Sequence, residues 1–135
     1  MEAVFTDQAR VPVAAVPVEG GAQLLDAGGA VITTEPQVPG DVPLVEVDVA
    51  TAGPGALRAA GDVARGLPDA LRADVERVGA LSPDDVRLTL RGGALVRWGS
   101  AEQPAAKAQV LQVLRVRAEG AAGYDVSAPA APASW

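Results

Sequence analysis

The sequence contains no cysteine and no histidine. Without cysteine there is no disulfide, no thiolate nucleophile and no cysteine metal ligand, and the redox compartment is left open. Without histidine the chain lacks the usual general base near neutral pH and the commonest transition-metal ligand. The two absences together remove most hydrolase designs. They leave Ser, Asp, Glu, Tyr124 and the single Lys107 as the chemistry-bearing groups. Long apolar runs are missing too: no stretch approaches the roughly 18 uncharged residues that span a bilayer, and the N-terminus lacks a basic segment followed by an apolar one.

Aromatic residues make up only 3% of the chain, so its core must be filled mainly by Val, Leu and Ala, with Trp98 as the one large internal anchor. Positive charge is also scarce. The net charge is −6, and the ten Arg are scattered singly among acids, which reads as solvated faces with local pairing. Nucleic-acid affinity is built from clustered Lys and Arg, so this balance argues against nucleic acid as a partner. The 135 residues and 49% hydrophobic content suit one domain with a modest core.

What is present reads as strands, turns and helices in alternation. Residues 11–18 have strand composition but carry Pro12 and Pro17, which places them at a sheet edge. Residues 23–25 and 30–34 form a hairpin around Asp26-Ala27-Gly28-Gly29. A Pro-rich loop over 35–43 leads to 44–49, which alternates at period two. Leu57, Ala60, Ala64 and Leu67 recur at helical spacing over 55–67, and Pro68-Asp69 opens a second short helix with Leu71 and Val75 inward. Residues 75–81 return to strand composition, and Ser82-Pro83-Asp84-Asp85 is a turn. Val86 to Arg91 and Ala94 to Trp98 make a hairpin closed by Gly92-Gly93, with Leu88, Val96 and Trp98 on its buried face. Ser100 to Gln103 offers a capping box, opening a helix whose inner face is Ala106, Val110, Val113 and Leu114 and which Gly120 stops. Residues 123–127 are a last short strand, and 128–135 are an Ala/Pro-rich tail, extended or disordered. The expected fold class is α+β, a mostly antiparallel sheet with two to three helices packed on it.

Each possible reactive group also has a plain structural reading. Ser100 and Lys107 would make a Ser/Lys dyad only if folding closed two helical turns between them, so they read as a cap and an exposed lysine. Asp84-Asp85 fits a turn better than a cation loop, since Ca²⁺ needs roughly six or more oxygens. No glycine pair precedes the Lys and Ser or Thr of a phosphate loop. No catalytic, metal or cofactor residue is therefore expected. The alternative that stays open is a pocket-type domain for a small molecule or cell-wall component, which would show a concave apolar cavity with convergent polar groups.

Several words, in order, carry a resemblance: Val-Pro-Val-Ala at 11–14, Leu-Leu-Asp-Ala-Gly-Gly at 24–29, Ser-Pro-Asp-Asp-Val-Arg-Leu-Thr-Leu-Arg at 82–91, Trp-Gly-Ser at 98–100, Lys107-Ala108 with Val110-Leu111, and Tyr124-Asp125-Val126-Ser127-Ala128-Pro129. Together they resemble the β domain of the FtsQ/DivIB cell-division family in its high-GC Gram-positive form. The resemblance implies a fragment of a membrane-anchored protein, with an upstream transmembrane helix absent here. Residues 1–16 would be the end of a POTRA domain running into the β domain, 17–127 the β domain and 128–135 the tail. It implies a non-enzymatic scaffold at the division septum, on the extracytoplasmic face of the cell membrane. The partners would be FtsB (DivIC)-like and FtsL-like proteins, joined by strand addition at Gly123, Tyr124, Asp125, Val126, Ser127 and Ala128. Tyr124 is either the anchor of that contact or a core residue. Because Pro129 has no N–H to donate, pairing is expected to stop near Ala128. The further aromatic seen in enterobacterial members is missing here. Trp135 either replaces it or is a disordered end, the latter being preferred.

Overall fold

Strands form where the sequence alternates, and helices where Ala and Leu recur between proline breaks. A computed structural model describes residues 11–135, so most of the segment read as the end of a POTRA domain lies outside the described residues. In chain order the elements are β1 (Ala14–Val18), β2 (Gly21–Leu25), β3 (Val31–Glu35), β4 (Leu44–Val45), α1 (Val49–Ala52), α2 (Pro54–Gly66), α3 (Asp69–Arg72), β5 (Val75–Ala80), β6 (Val86–Leu90), β7 (Leu95–Gly99), α4 (Pro104–Arg117), β8 (Gly123–Asp125) and β9 (Ala133–Ser134). All nine strands among the described residues join one sheet in the order β3-β2-β1-β4-β5-β6-β7-β8-β9. Five of the pairings are antiparallel, while β1–β4, β4–β5 and β7–β8 are parallel. Parallel neighbours need long crossovers. The segment carrying α1 to α3 supplies one between β4 and β5, and α4 supplies another between β7 and β8. The expected α+β fold with a mostly antiparallel sheet is the one observed.

The hairpins follow their turn residues. Gly92 and Gly93 both take positive φ, 102° and 103°, which joins β6 to β7 with no steric penalty. Asp26 closes the β2–β3 turn by accepting from the Gly28 and Ala30 N–H groups. Leu88, Val96 and Trp98 share the buried face as expected. They meet α2, whose inward face is Ala56, Ala59, Ala60, Val63 and Ala64. Side chains that small let the helix axis lie close to the sheet, and the aliphatic residues of β5 to β7 fill what remains.

Several expectations fail for identifiable reasons. β1 is not an edge strand, because β2 and β4 flank it on both sides. Its proline is tolerated because the Ala15 N–H reaches Pro43 O at 2.9 Å, and β4 has run out by the Pro17 position on that same side. The period-two stretch from Leu44 stays strand only to Val45, and Val49 to Ala52 turn into a helix stabilised by Asp48, which accepts from the Thr51 hydroxyl. Leu57 is 36% exposed, since alanines define the buried stripe of α2. There is no capping box. Gln103 sits in the left-handed region at φ 56°, Pro104 begins α4, and the Ser100 hydroxyl accepts only from the Glu102 N–H. The buried residues of α4 are Lys107, Ala108 and Leu111, a different face from the one expected, and Val113 is exposed.

Lys107 is therefore not an exposed lysine: it is 2% exposed, and its Nζ donates to the Ser100 carbonyl at 2.9 Å, tying α4 back to the end of β7. Burial holds its pKa below the ordinary lysine value, with the Glu102 carboxylate pulling the other way. A lowered folded-state pKa means that the folded chain gives up the proton before the unfolded chain does. Stability from this group is therefore reduced while it is charged and recovers as pH rises toward 10.5. Lys107→Met is expected to lack that alkaline recovery. Denaturant midpoints of both chains across the window test it, and superimposable pH profiles would refute the buried-charge account.

Candidate functional site

The strand singled out by sequence, β8, lies beside β7 in parallel register, with Leu95 opposite Gly123, Val96 opposite Tyr124 and Arg97 opposite Asp125. Val126 extends the ladder by donating to Arg97 O at 3.0 Å. Side chains alternate from here. Tyr124 and Val126 point into the core, 4% and 0% exposed. The Tyr124 hydroxyl donates to Ala118 O at 3.2 Å, locking β8 to the end of α4. Of the two roles open to Tyr124, the structure shows the core one.

Asp125 lies on the other face, half-buried. Its Oδ1 accepts from the Ser127 N–H and, at 2.6 Å, from the Ser127 hydroxyl. Burial pushes this carboxyl up, but the two Ser127 hydrogen bonds and the charge of Arg97 outweigh that and hold its pKa below the usual range. The turn it makes ends the strand, and Ser127 and Ala128 are exposed.

Beyond that point the chain does not trail away. Ala131 N–H donates to Ala128 O at 2.9 Å, closing a four-residue turn with Pro129 in the second position, where its fixed φ belongs. The chain reverses, and β9 runs antiparallel along the outer side of β8, with Ser134 opposite Tyr124 and Ala133 opposite Asp125. Trp135 N–H donates to Gly123 O at 3.1 Å, and its own carbonyl accepts from Ala122 N–H at 2.7 Å. The indole lies directly over Gly123, where a β-carbon would overlap the ring. Trp135 is therefore not a disordered end, although it stays 55% exposed. The six residues named by sequence thus sit together on and just after β8, but the Gly123 to Asp125 part of the backbone row they were expected to offer is taken up by residues 133–135. The missed signals were the Ala-Pro-Ala-Ala turn formula and a lone aromatic within reach of a strand glycine.

Two other charged groups, Asp85 and Arg115, are engaged structurally. Asp85 accepts two bonds from the Arg87 guanidinium, at 3.0 and 3.1 Å. Arg115 pairs with Asp74 at 3.0 Å, binding α4 to the loop before β5. A shallow depression of about 510 Å³ lies between the Gly92-Gly93 turn and the end of α4. Arg91, Arg115, Glu119 and Tyr124 line it, so it is walled by charged groups as well as apolar ones. Among the described residues no helix is long and apolar enough to cross a membrane.

Because Tyr124 is a core residue, Tyr124→Ala should destabilise the fold by about 3–5 kcal/mol, as for other buried aromatics. Tyr124→Phe loses one hydrogen bond and should cost about 1 kcal/mol. Equilibrium unfolding measures both, and an alanine variant of undiminished stability would show that Tyr124 is not locked in the core.

Comparison with known proteins agrees with this architecture. The family model described as "Cell division protein FtsQ/DivIB, C-terminal" matches residues 14–124, so the reversing turn and β9 lie beyond the matched stretch. Cell division protein FtsQ of Streptomyces bingchenggensis (strain BCW-1) is 39% identical over 132 residues, covering 92% of this chain and 49% of that protein. The FtsQ of Streptomyces griseus is 38% identical over 131 residues, covering 92% and 63%. That of Mycobacteroides abscessus is 34% identical over 123 residues, covering 91% and 39%. The chain spans about half the length of the curated relatives it matches. In fold it is similar to the major extracytoplasmic domain of the trans isomer of DivIB from Geobacillus stearothermophilus, with a TM-score of 0.55 at 16% identity, covering 79% of this chain and 92% of that one.

Proposed function

The chain belongs to the FtsQ/DivIB family of cell division proteins, and from that premise we propose that it is a non-enzymatic scaffold domain whose β8 edge takes up an extended segment of another division protein. The partners are FtsB (DivIC)-like and FtsL-like proteins, and the place is the extracytoplasmic face of the cell membrane, where a helix upstream of this stretch anchors the whole protein.

One observation supports strand addition above the rest: the β8 edge already accepts an antiparallel segment, residues 133–135, through backbone bonds. An edge that pairs with its own chain has the outward-facing donors, acceptors and clearance that a foreign strand would use in its place. Such a partner draws affinity from backbone bonds. Its specificity comes from side chains on the Gly123 and Asp125 face, since Tyr124 and Val126 are turned inward.

An NMR titration with the extracytoplasmic C-terminal segment of the cognate FtsB-like protein tests this reading. Saturable shifts at the amides of residues 122–128 and 133–135 are expected. Shifts confined to the depression lined by Arg91, Arg115 and Glu119 would favour the pocket reading. A folded domain with no shifts at all would remove this segment as the partner.

A further inference from the structure

We infer that residues 128–135 are a displaceable strap that occludes the β8 edge, so that a partner strand must first expel β9 and lift Trp135 from Gly123. This rests on the strand-addition reading. Three features argue for it. First, β9 occupies the row that strand addition would use, with Trp135 and Gly123 exchanging backbone bonds. Second, the strap is weakly held. Its strand has two residues, every residue from Ala130 to Trp135 is exposed, and the segment is tethered by a short turn instead of a packed element. Strands that short are marginal on their own. Third, the seat of the ring is a glycine whose φ is not positive. An alanine would suit the strand backbone there, so the bare α-carbon matters for the clearance it gives Trp135.

A strap of this kind lowers apparent partner affinity by the fraction of time it is closed. Its tether is short, so it competes at an effective concentration of about millimolar. A partner segment longer than β9 can outbid it, because it can add backbone pairs beyond the two that β9 makes with Tyr124 and Asp125.

Two experiments decide the matter. In the first, the chain ended after Ser127 is titrated with a synthetic peptide of residues 128–135. Saturable amide shifts at 122–126 are expected, absent with a Trp135→Ala peptide. A folded truncated chain that ignores the peptide would overturn the strap. Should truncation prevent folding, Gly123→Ala in the full chain takes its place: faster hydrogen exchange at the Ala122 amide and a more water-exposed Trp135 emission are expected, and unchanged exchange overturns the inference.

In the second, the absence of native cysteine allows a lock: Asp125→Cys with Ala133→Cys, opposite each other in the hairpin. With the disulfide closed, binding of the FtsB-like segment should weaken by at least about tenfold and recover on reduction. Equal binding by the oxidised and reduced forms would mean that the strap does not stand in the way. Because Asp125 lies on the proposed partner face, the unsubstituted chain is titrated alongside; binding by neither form and not by the unsubstituted chain would count against the partner reading, leaving the strap to be judged on the peptide arm alone.

Discussion

The outer backbone row of β8 is the constraint around which this end of the molecule is arranged. A sheet that is not closed into a barrel leaves two rows of donors and acceptors, and each must meet water, a covering segment or another chain. Here the row cannot be blunted by moving the strand, since Tyr124 holds β8 in the core and to α4, and the parallel ladder with β7 fixes its register. The edge is rigid, and whatever meets it must come to it. Strand addition and self-coverage are therefore two answers to one requirement.

The rigidity comes from a core of small side chains. Alanines on α2 lie against the valines and leucines of β5 to β7, and Trp98 fills the centre with its Nε1 buried and unpaired among the described residues. A chain with few aromatics has few places where one large group can lock two elements. Tyr124 on Ala118, Lys107 on Ser100 and Arg115 on Asp74 are three such polar locks, all at the ends of α4 or its neighbouring loops. They make α4 the clamp that sets the position of β8. This explains why the one lysine is buried: its long stem packs on the core while its ammonium reaches a carbonyl that a shorter residue would leave unmet.

Sequence patterning made the sheet legible where local chemistry decides the outcome. Asp26 to Gly29, Gly92-Gly93 and the alternation of Val86 to Leu90 each imply one conformation, and each is observed. It failed where tertiary context decides. Two prolines in residues 11–18 implied an edge, yet a neighbouring strand only one pair long leaves room for Pro17. The face of α4 was misread because its true inward stripe contains a lysine, a residue that hydropathy places outside. The six residues proposed as the site were read as one segment, and they do lie together on and just after β8. The occupancy of that edge was not legible, since an Ala/Pro composition carries little apolar surface and its pairing depends on a turn and one distant glycine.

The weakness of β9 has a physical consequence of its own. A long, well-packed ninth strand would satisfy the β8 edge permanently and end the sheet there. No ninth strand at all would leave a bare edge able to pair with any extended chain, including another copy of itself. Two paired residues and one indole over a glycine lie between these limits: enough bonds to discourage casual pairing, and few enough that a longer strand can replace them. The same composition that disguised the tail as unstructured, small residues broken by prolines, keeps its hold on the edge light.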